Sequence, residues 1–236
     1  MIVNYKLSQP IPGVFLLQIK DSHDLAMTFW RAQEFYESSN TLFKGRKFTF
    51  AEYAIWYGKV FAAGQEKPSM SYAADWVGFN VPGYILERTY EVHDERMAYD
   101  QLMLQAMAAC KFLTGDRYYL IGTSYEDPHG ALDHELAHGM YTVNKAYRLE
   151  MNKLVSEMPA DLREKTLAAL NQMGYNDDVC VDELQANMAT GICHALANLK
   201  ELKGLREGYT TLFEDCFQRH LPPINTQLLC ETTFDL

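Results

Sequence analysis

Two neighbouring stretches decide how this chain is read: Arg117-Tyr118-Tyr119-Leu120-Ile121-Gly122, and Ala131-Leu132-Asp133-His134-Glu135-Leu136-Ala137-His138-Gly139-Met140. The first is a short aromatic and aliphatic run, which predicts a strand. Asp127-Pro128-His129-Gly130 between them has the composition of a turn. In the second, Leu132, Leu136, Ala137, Met140 and, just beyond it, Val143 recur at helical spacing, which predicts a helix from about Ala131. His134 and His138 then lie one turn apart on one face. Both imidazoles can reach one metal ion. Glu135 points to the side of that face, where a carboxylate can take a proton from a metal-activated water without itself binding. That is the physical reason for the spacing H-E-x-x-H.

A catalytic zinc needs a third protein ligand and an open position. A third histidine six residues after His138 is excluded, because Asn144 stands there and Tyr141 occupies the glycine place of that longer motif. The ligand must come from further along. The strongest candidate is Glu183 in Val181-Asp182-Glu183-Leu184-Gln185-Ala186-Asn187, with Asp182 as its rival. Beyond Asn144 the sequence predicts helices over about 145–158, 160–173, 179–199 and 205–219, and an extended tail from Leu221. On a helix running from 179 to 199, His194 shares the face of Glu183, 11 residues earlier, and is read as a catalytic oxyanion donor. Tyr209, Arg206 and His220 are the alternatives from the last helix, Asn187 is placed to orient Glu183, and Asp133 to orient a ligand.

Upstream, Gly13 to Lys20 (GVFLLQIK) predicts a buried strand. Asp21 or Ser22 caps a helix through about Glu37, with Arg31, Glu34 and Glu37 as its solvated face. Thr49 and Glu52 form a capping box for a second helix carrying Tyr53, Trp56, Val60 and Phe61. Gly78, Pro82 and Gly83 break up residues 70–91, which read as loops with short extended pieces; 75–83 is a packed aromatic loop or a cleft wall. Residues 94–113 predict a helix with Met97, Leu102, Leu104, Met107 and Phe112 as its apolar stripe. His23, His93 and His129 have no assignable partners.

The sum is an α+β chain, 1–236 as one compact domain. A small mixed sheet occupies the α/β portion, 1–125, with an edge strand near 117–122 able to hold an extended peptide. A mostly helical portion, 126–236, carries the metal site.

HELAHG followed by DELQAN resembles the zincin metallopeptidases, in particular gluzincins, which pair HExxH on one helix with a glutamate on a later one. The resemblance covers roughly residues 117–199. It implies a zincin-like fold and one Zn(2+) per chain on His134, His138 and Glu183. It also implies a zinc-dependent peptidase with Glu135 as general base and a peptide or protein substrate; the alternative is a zincin-fold binding or regulatory protein with reduced or no peptidase activity. Asn187 stands where such proteins often carry tyrosine, so a tyrosine oxyanion donor is not available there.

Composition narrows the classes. The net charge of −10 argues against nucleic acid as partner, and the one basic cluster, Lys44, Arg46 and Lys47, reads as a solvated turn. Five cysteines without a CxxC pair read as reduced thiols. The first residues lack a signal-peptide pattern and no window of 18 apolar residues occurs, so no membrane association and a cytoplasmic location are expected, with signal-independent export as the other route.

Overall fold

A computed structural model describes residues 2–38, 40–60, 70–76, 78–126, 131–220 and 227–235. It is a mixed α+β structure around a five-stranded sheet. The strands are β1 (Ile2–Ile11), β2 (Val14–Ile19), β3 (Gly78–Pro82), β4 (Tyr119–Ser124) and β5 (Gln227–Asp235), in the order β3-β4-β2-β1-β5. The pair β2 and β4 is parallel and the other pairings are antiparallel.

β2 has strands on both sides and helices on both faces, which is why its sequence is a near-continuous apolar run. Phe15, Leu17 and Ile19 point into one hydrophobic cluster, Val14 and Leu16 into the other. The first cluster packs under α1 (Ser22–Glu37), α2 (Phe50–Val60), α3 (Tyr72–Asp75), α4 (Gly83–Val92) and α5 (Ala98–Thr114). The second packs under α6 (Ala131–Val143), α7 (Lys145–Glu157), α8 (Ala160–Gln172), α9 (Asp177–Thr190) and α10 (Leu202–His220). Among the described residues, no helix is long and apolar enough to cross a membrane.

Both predicted caps of the first two helices form. The Asp21 carboxylate accepts from the backbone N–H of His23 (2.9 Å) and Asp24 (3.1 Å). Glu52 N–H donates to Thr49 Oγ1 (3.2 Å) while the Glu52 carboxylate accepts from the Thr49 N–H (2.8 Å).

Several expectations are corrected. Residues 70–91 are not mainly loop: Pro82 (φ −60, ψ 142) sits at the N-cap of α4, so it starts a helix, and β3 precedes it. The strand near 117–122 is not an edge, because β3 pairs along its outer side from Gly78↔Thr123 to Pro82↔Tyr119. The sheet is not confined to the N-terminal half, since β5 pairs with β1 from Ile2↔Asp235 to Gln9↔Gln227. Phe112 leaves the apolar stripe and is 89% exposed. The turn 127–130 and Phe61 lie outside the described residues.

Arg31, Glu34 and Glu37 are buried, not solvated. Helix α1 lies under the sheet and is packed on nearly every side, so its polar residues find partners inside. Arg31 forms a two-pronged ion pair with Asp100, Nε to Oδ1 at 3.0 Å and Nη2 to Oδ2 at 2.9 Å. His93, 1% exposed, is satisfied within the core: Nε2 accepts from the Phe48 N–H at 3.1 Å and Nδ1 faces the Thr89 carbonyl at 2.8 Å.

Phe29 on α1 stacks on Phe79, their ring centroids 5.3 Å apart, and lies across β4 at Gly122. A β-carbon at Gly122 would fall 2.4 Å from the Phe29 ring. Gly122→Ala should therefore cost about 1–3 kcal/mol by forcing that stack apart. Equilibrium urea unfolding measures it, and an unchanged midpoint would contradict the packing.

Candidate metal centre

Helix α6 rests against the sheet through Leu136, Ala137 and Met140, which turns His134 and His138 toward α9 and Glu135 toward β3. Helix α9 packs beside α6 and brings Glu183 to the same point. His134 Nε2 and His138 Nε2 are 3.2 Å apart. Glu183 Oε1 is 3.4 Å from His138 Nε2, and Glu183 Oε2 is 3.7 Å from His134 Nε2.

A tetrahedral ion bound at about 2.0–2.1 Å spaces its ligand atoms about 3.3–3.4 Å apart. The three donors lie close to that spacing, with one ligand atom from each residue all within 4.8 Å of one another. Glu183 Oε2 is buried without a hydrogen-bond partner, an atom with an unmet need. Glu135, Asp182, Glu183 and Glu37 bring four carboxylates toward two imidazoles in one largely buried region. A divalent cation complements that excess negative charge, and the mixed nitrogen and oxygen donor set suits zinc. The residues therefore fit the ion that the motif implies.

Asp182 does not join the three donors. Its carboxylate lies 2.9 Å from Nδ1 of His138, the ring nitrogen facing away from them. Gln185 holds Asp182 by Nε2 at 2.9 Å and accepts from the Tyr147 hydroxyl at 2.9 Å. This chain fixes the ring of His138 from behind. On His134, Nδ1 faces Thr190 Oγ1 at 3.4 Å.

Glu135 is buried beside the donors. Asn80 on β3 donates to its Oε2 at 2.7 Å, and the Tyr119 hydroxyl on β4 donates to Asn80 Oδ1. Along β3, Phe79 and Val81 face the first cluster, so the pleat turns Asn80 to the opposite side, toward α6. Gly78 admits the carboxylate, since a β-carbon there would fall 2.4 Å from Glu135 Oε1.

Burial raises the pKa of Glu135, although His134, His138 and the Asn80 amide pull it back. For Glu183 burial also acts upward, but the two histidines outweigh it and the pKa is lowered. Burial opposes charge on His138, yet Asp182 and Glu183 overcome it and raise its pKa well above the imidazole range.

His134 and Glu183 line an open cleft of about 670 Å³, also bordered by Trp76, Asn80, Glu135, Tyr175 and Thr190, while His138 is buried behind them. From the aromatic segment, Asp75, Trp76, Gly78 and Asn80 thus supply cleft wall while Phe79 and Val81 pack into the core.

The oxyanion candidates fare differently. Helix α9 ends at Thr190, and His194 sits exposed on a separate short 3-10 turn, His194–Leu196. The shared helical face with Glu183 does not exist, because Gly191 ends the helix, and His194 is not brought to the cleft. Tyr209 is buried in the second cluster and Arg206 Nε donates to the Met188 carbonyl at 3.1 Å. The side chain of His220, and His129 altogether, lie outside the described residues. Asn187 caps backbone groups, the Glu183 carbonyl at 2.9 Å and the Cys193 N–H at 3.0 Å, and does not orient the carboxylate.

Asn80, Gln185, Tyr147 and the buried carboxylates of α1 are site components that sequence reasoning missed. The alternation Phe79-Asn80-Val81 was the available signal for Asn80; nothing local marked Glu37.

Glu34 is buried on α1 among hydroxyl groups. Burial raises its pKa to about 7 from near 4.5, while the hydroxyls of Tyr53, Ser38 and Tyr72 moderate the rise. A raised folded pKa means that its contribution is whole below about pH 4.5 and is lost as pH rises through 7. Glu34→Gln should remove that slope and be the more stable protein at pH 8, by on the order of 2–3 kcal/mol. Urea midpoints for both proteins from pH 4 to 8 test this; parallel curves would refute it.

Comparison with protein-family models, with curated proteins and with solved structures gives no match for this chain.

Proposed function

We propose that this chain is a zinc-dependent peptidase of the zincin type, hydrolysing a peptide bond with Glu135 as general base. The observation that carries this reading is the convergence of His134, His138 and Glu183, of which His134 and Glu183 line one cleft together with the Glu135 carboxylate. A purely structural zinc site closes all four positions with protein ligands, whereas three donors, two of them lining a cleft, leave one open.

When bound, zinc supplies an acidified water and polarises the scissile carbonyl. The chain's own residues do the remainder. Glu135 accepts the proton of the attacking water and returns it to the leaving amine. Burial makes its carboxylate a better base than an exposed one. Asn80 keeps the carboxylate turned toward the cleft. The Asp182 carboxylate, 2.9 Å from Nδ1 of His138, favours a proton on that nitrogen and so leaves Nε2 to ligate. The nearest sheet edge is β3, and an extended substrate would lie along it, a role the sequence had given to 117–122.

The test is metal analysis followed by peptide digestion. The purified protein should hold one zinc per chain, and removing it should abolish cleavage of a mixed peptide library. Loaded at about a thousand times its dissociation constant, zinc should stabilise the fold by about 4 kcal/mol. Failure to take up zinc after reconstitution would end the proposal.

A further inference from the structure

A second cavity opens from the inner end of the cleft. It shares Gln33, Glu37, Trp76, Met173 and Tyr175 with the cleft and continues to Glu34, walled by the rings of Tyr53, Trp56 and Tyr57. Its free space is about 50 Å³, enough for about three to five water-sized groups and thus for the head of a side chain.

Its chemistry is one-sided. Glu34 and Glu37 are 6% and 8% exposed. Among the described residues, neither joins an ion pair with lysine, arginine or histidine. Arg31, the one cation buried on the same helix, is taken by Asp100. Gln33 donates its amide to Glu37, which leaves Gln33 Oε1 as a buried acceptor with no donor. A pocket of two carboxylates and an orphaned carbonyl oxygen asks for N–H donors carrying positive charge. Aromatic walls favour the same guest, since a cation over a ring face is attracted by its quadrupole.

We propose that this pocket is a subsite for a positively charged nitrogen of the substrate, a lysine or arginine side chain or a free terminal ammonium. Its use in substrate selection rests on the peptidase reading above; its affinity for a cation does not. Position supports the pairing, because Glu37 and Trp76 border both spaces, so a chain lying along the cleft can send one cationic group inward while its backbone stays at the metal centre.

The binding test uses the full chain and two probes of equal size, n-butylammonium and 1-butanol, titrated by NMR and read at the Trp76 indole and the Gln33 side-chain amide. The ammonium should bind at least about tenfold more tightly than the alcohol. Glu34→Gln with Glu37→Gln should bring the two to parity. Equal binding of both probes by the unaltered protein would overturn the subsite, whatever the variant does.

The catalytic test compares N-acetylated peptides carrying lysine or norleucine at one position, and the norleucine peptide with a free N-terminus. A kcat/KM preference of about tenfold for lysine assigns the pocket to a side chain; the same preference for the free amine assigns it to the terminus. Hydrolysis of all three at equal rates would overturn the role in selection. No hydrolysis of any, with cation binding intact, would strike the peptidase reading alone.

Discussion

Glu135→Gln should retain one zinc per chain and lose peptide hydrolysis by about two to four orders of magnitude. The amide keeps the size of the side chain and can still meet Asn80 after a rotation, so the wall of the cleft persists. It cannot accept the proton of the attacking water. Removing a buried acid whose pKa is raised by burial should also leave the fold no weaker at neutral pH. The contrast with Glu183→Ala is informative, because that change removes a ligand and should lower zinc affinity as well as rate. Zinc content and kcat/KM measured on both variants separate the roles. Undiminished hydrolysis by Glu135→Gln would show that this carboxylate is not the base.

The largest stability effect is expected far from the metal centre. Asp100→Ala should destabilise the protein by about 3–5 kcal/mol, because it leaves the guanidinium of Arg31 buried without its counter-charge. Both side chains are almost completely inaccessible, 3% and 1% exposed. Asp100 does more than neutralise Arg31: it accepts from the Met97 N–H at 2.7 Å at the start of α5 and from the Tyr90 hydroxyl at 3.2 Å. The pair therefore ties α1 to α4 and α5 under the sheet. For a chain of this size the loss corresponds to a fall in Tm of roughly 6–20 °C. Replacing both partners by apolar residues, Arg31→Met with Asp100→Leu, should recover much of it, since the cost lies in the orphaned charge. Thermal unfolding of the single and double variants decides this. A double variant as weak as the single one would place the energy in the hydrogen bonds of Asp100.

These two sites differ in how visible they are in the sequence. The paired histidines on α6 were legible because one helical turn relates His134 to His138, and a turn is local geometry. Glu183 was legible by elimination, once Asn144 closed off the nearer option. The caps at Asp21 and Thr49 were legible for the same local reason. Arg31, Glu34 and Glu37 were not, because a charged residue on a helix is normally solvated and only packing on all sides of α1 reverses that. His194 was misplaced because helical arithmetic holds only while the helix continues, and α9 stops at Thr190.

The sequence by itself determined the two histidines, the carboxylate between them and the later glutamate, since each depends on spacing along one helix or on residue chemistry. Tertiary structure alone decided the rest. Pairing of β3 outside β4 set which strand forms the edge by the cleft and which asparagine meets Glu135. Docking of α9 on α6 made Asp182 the partner of His138 Nδ1 and left Glu183 to face both Nε2 atoms. Burial of α1 placed two acidic side chains beside the cleft with no ion pair among the described residues. Contacts between residues so far apart in the chain carry no local period, so only the folded chain brings them together.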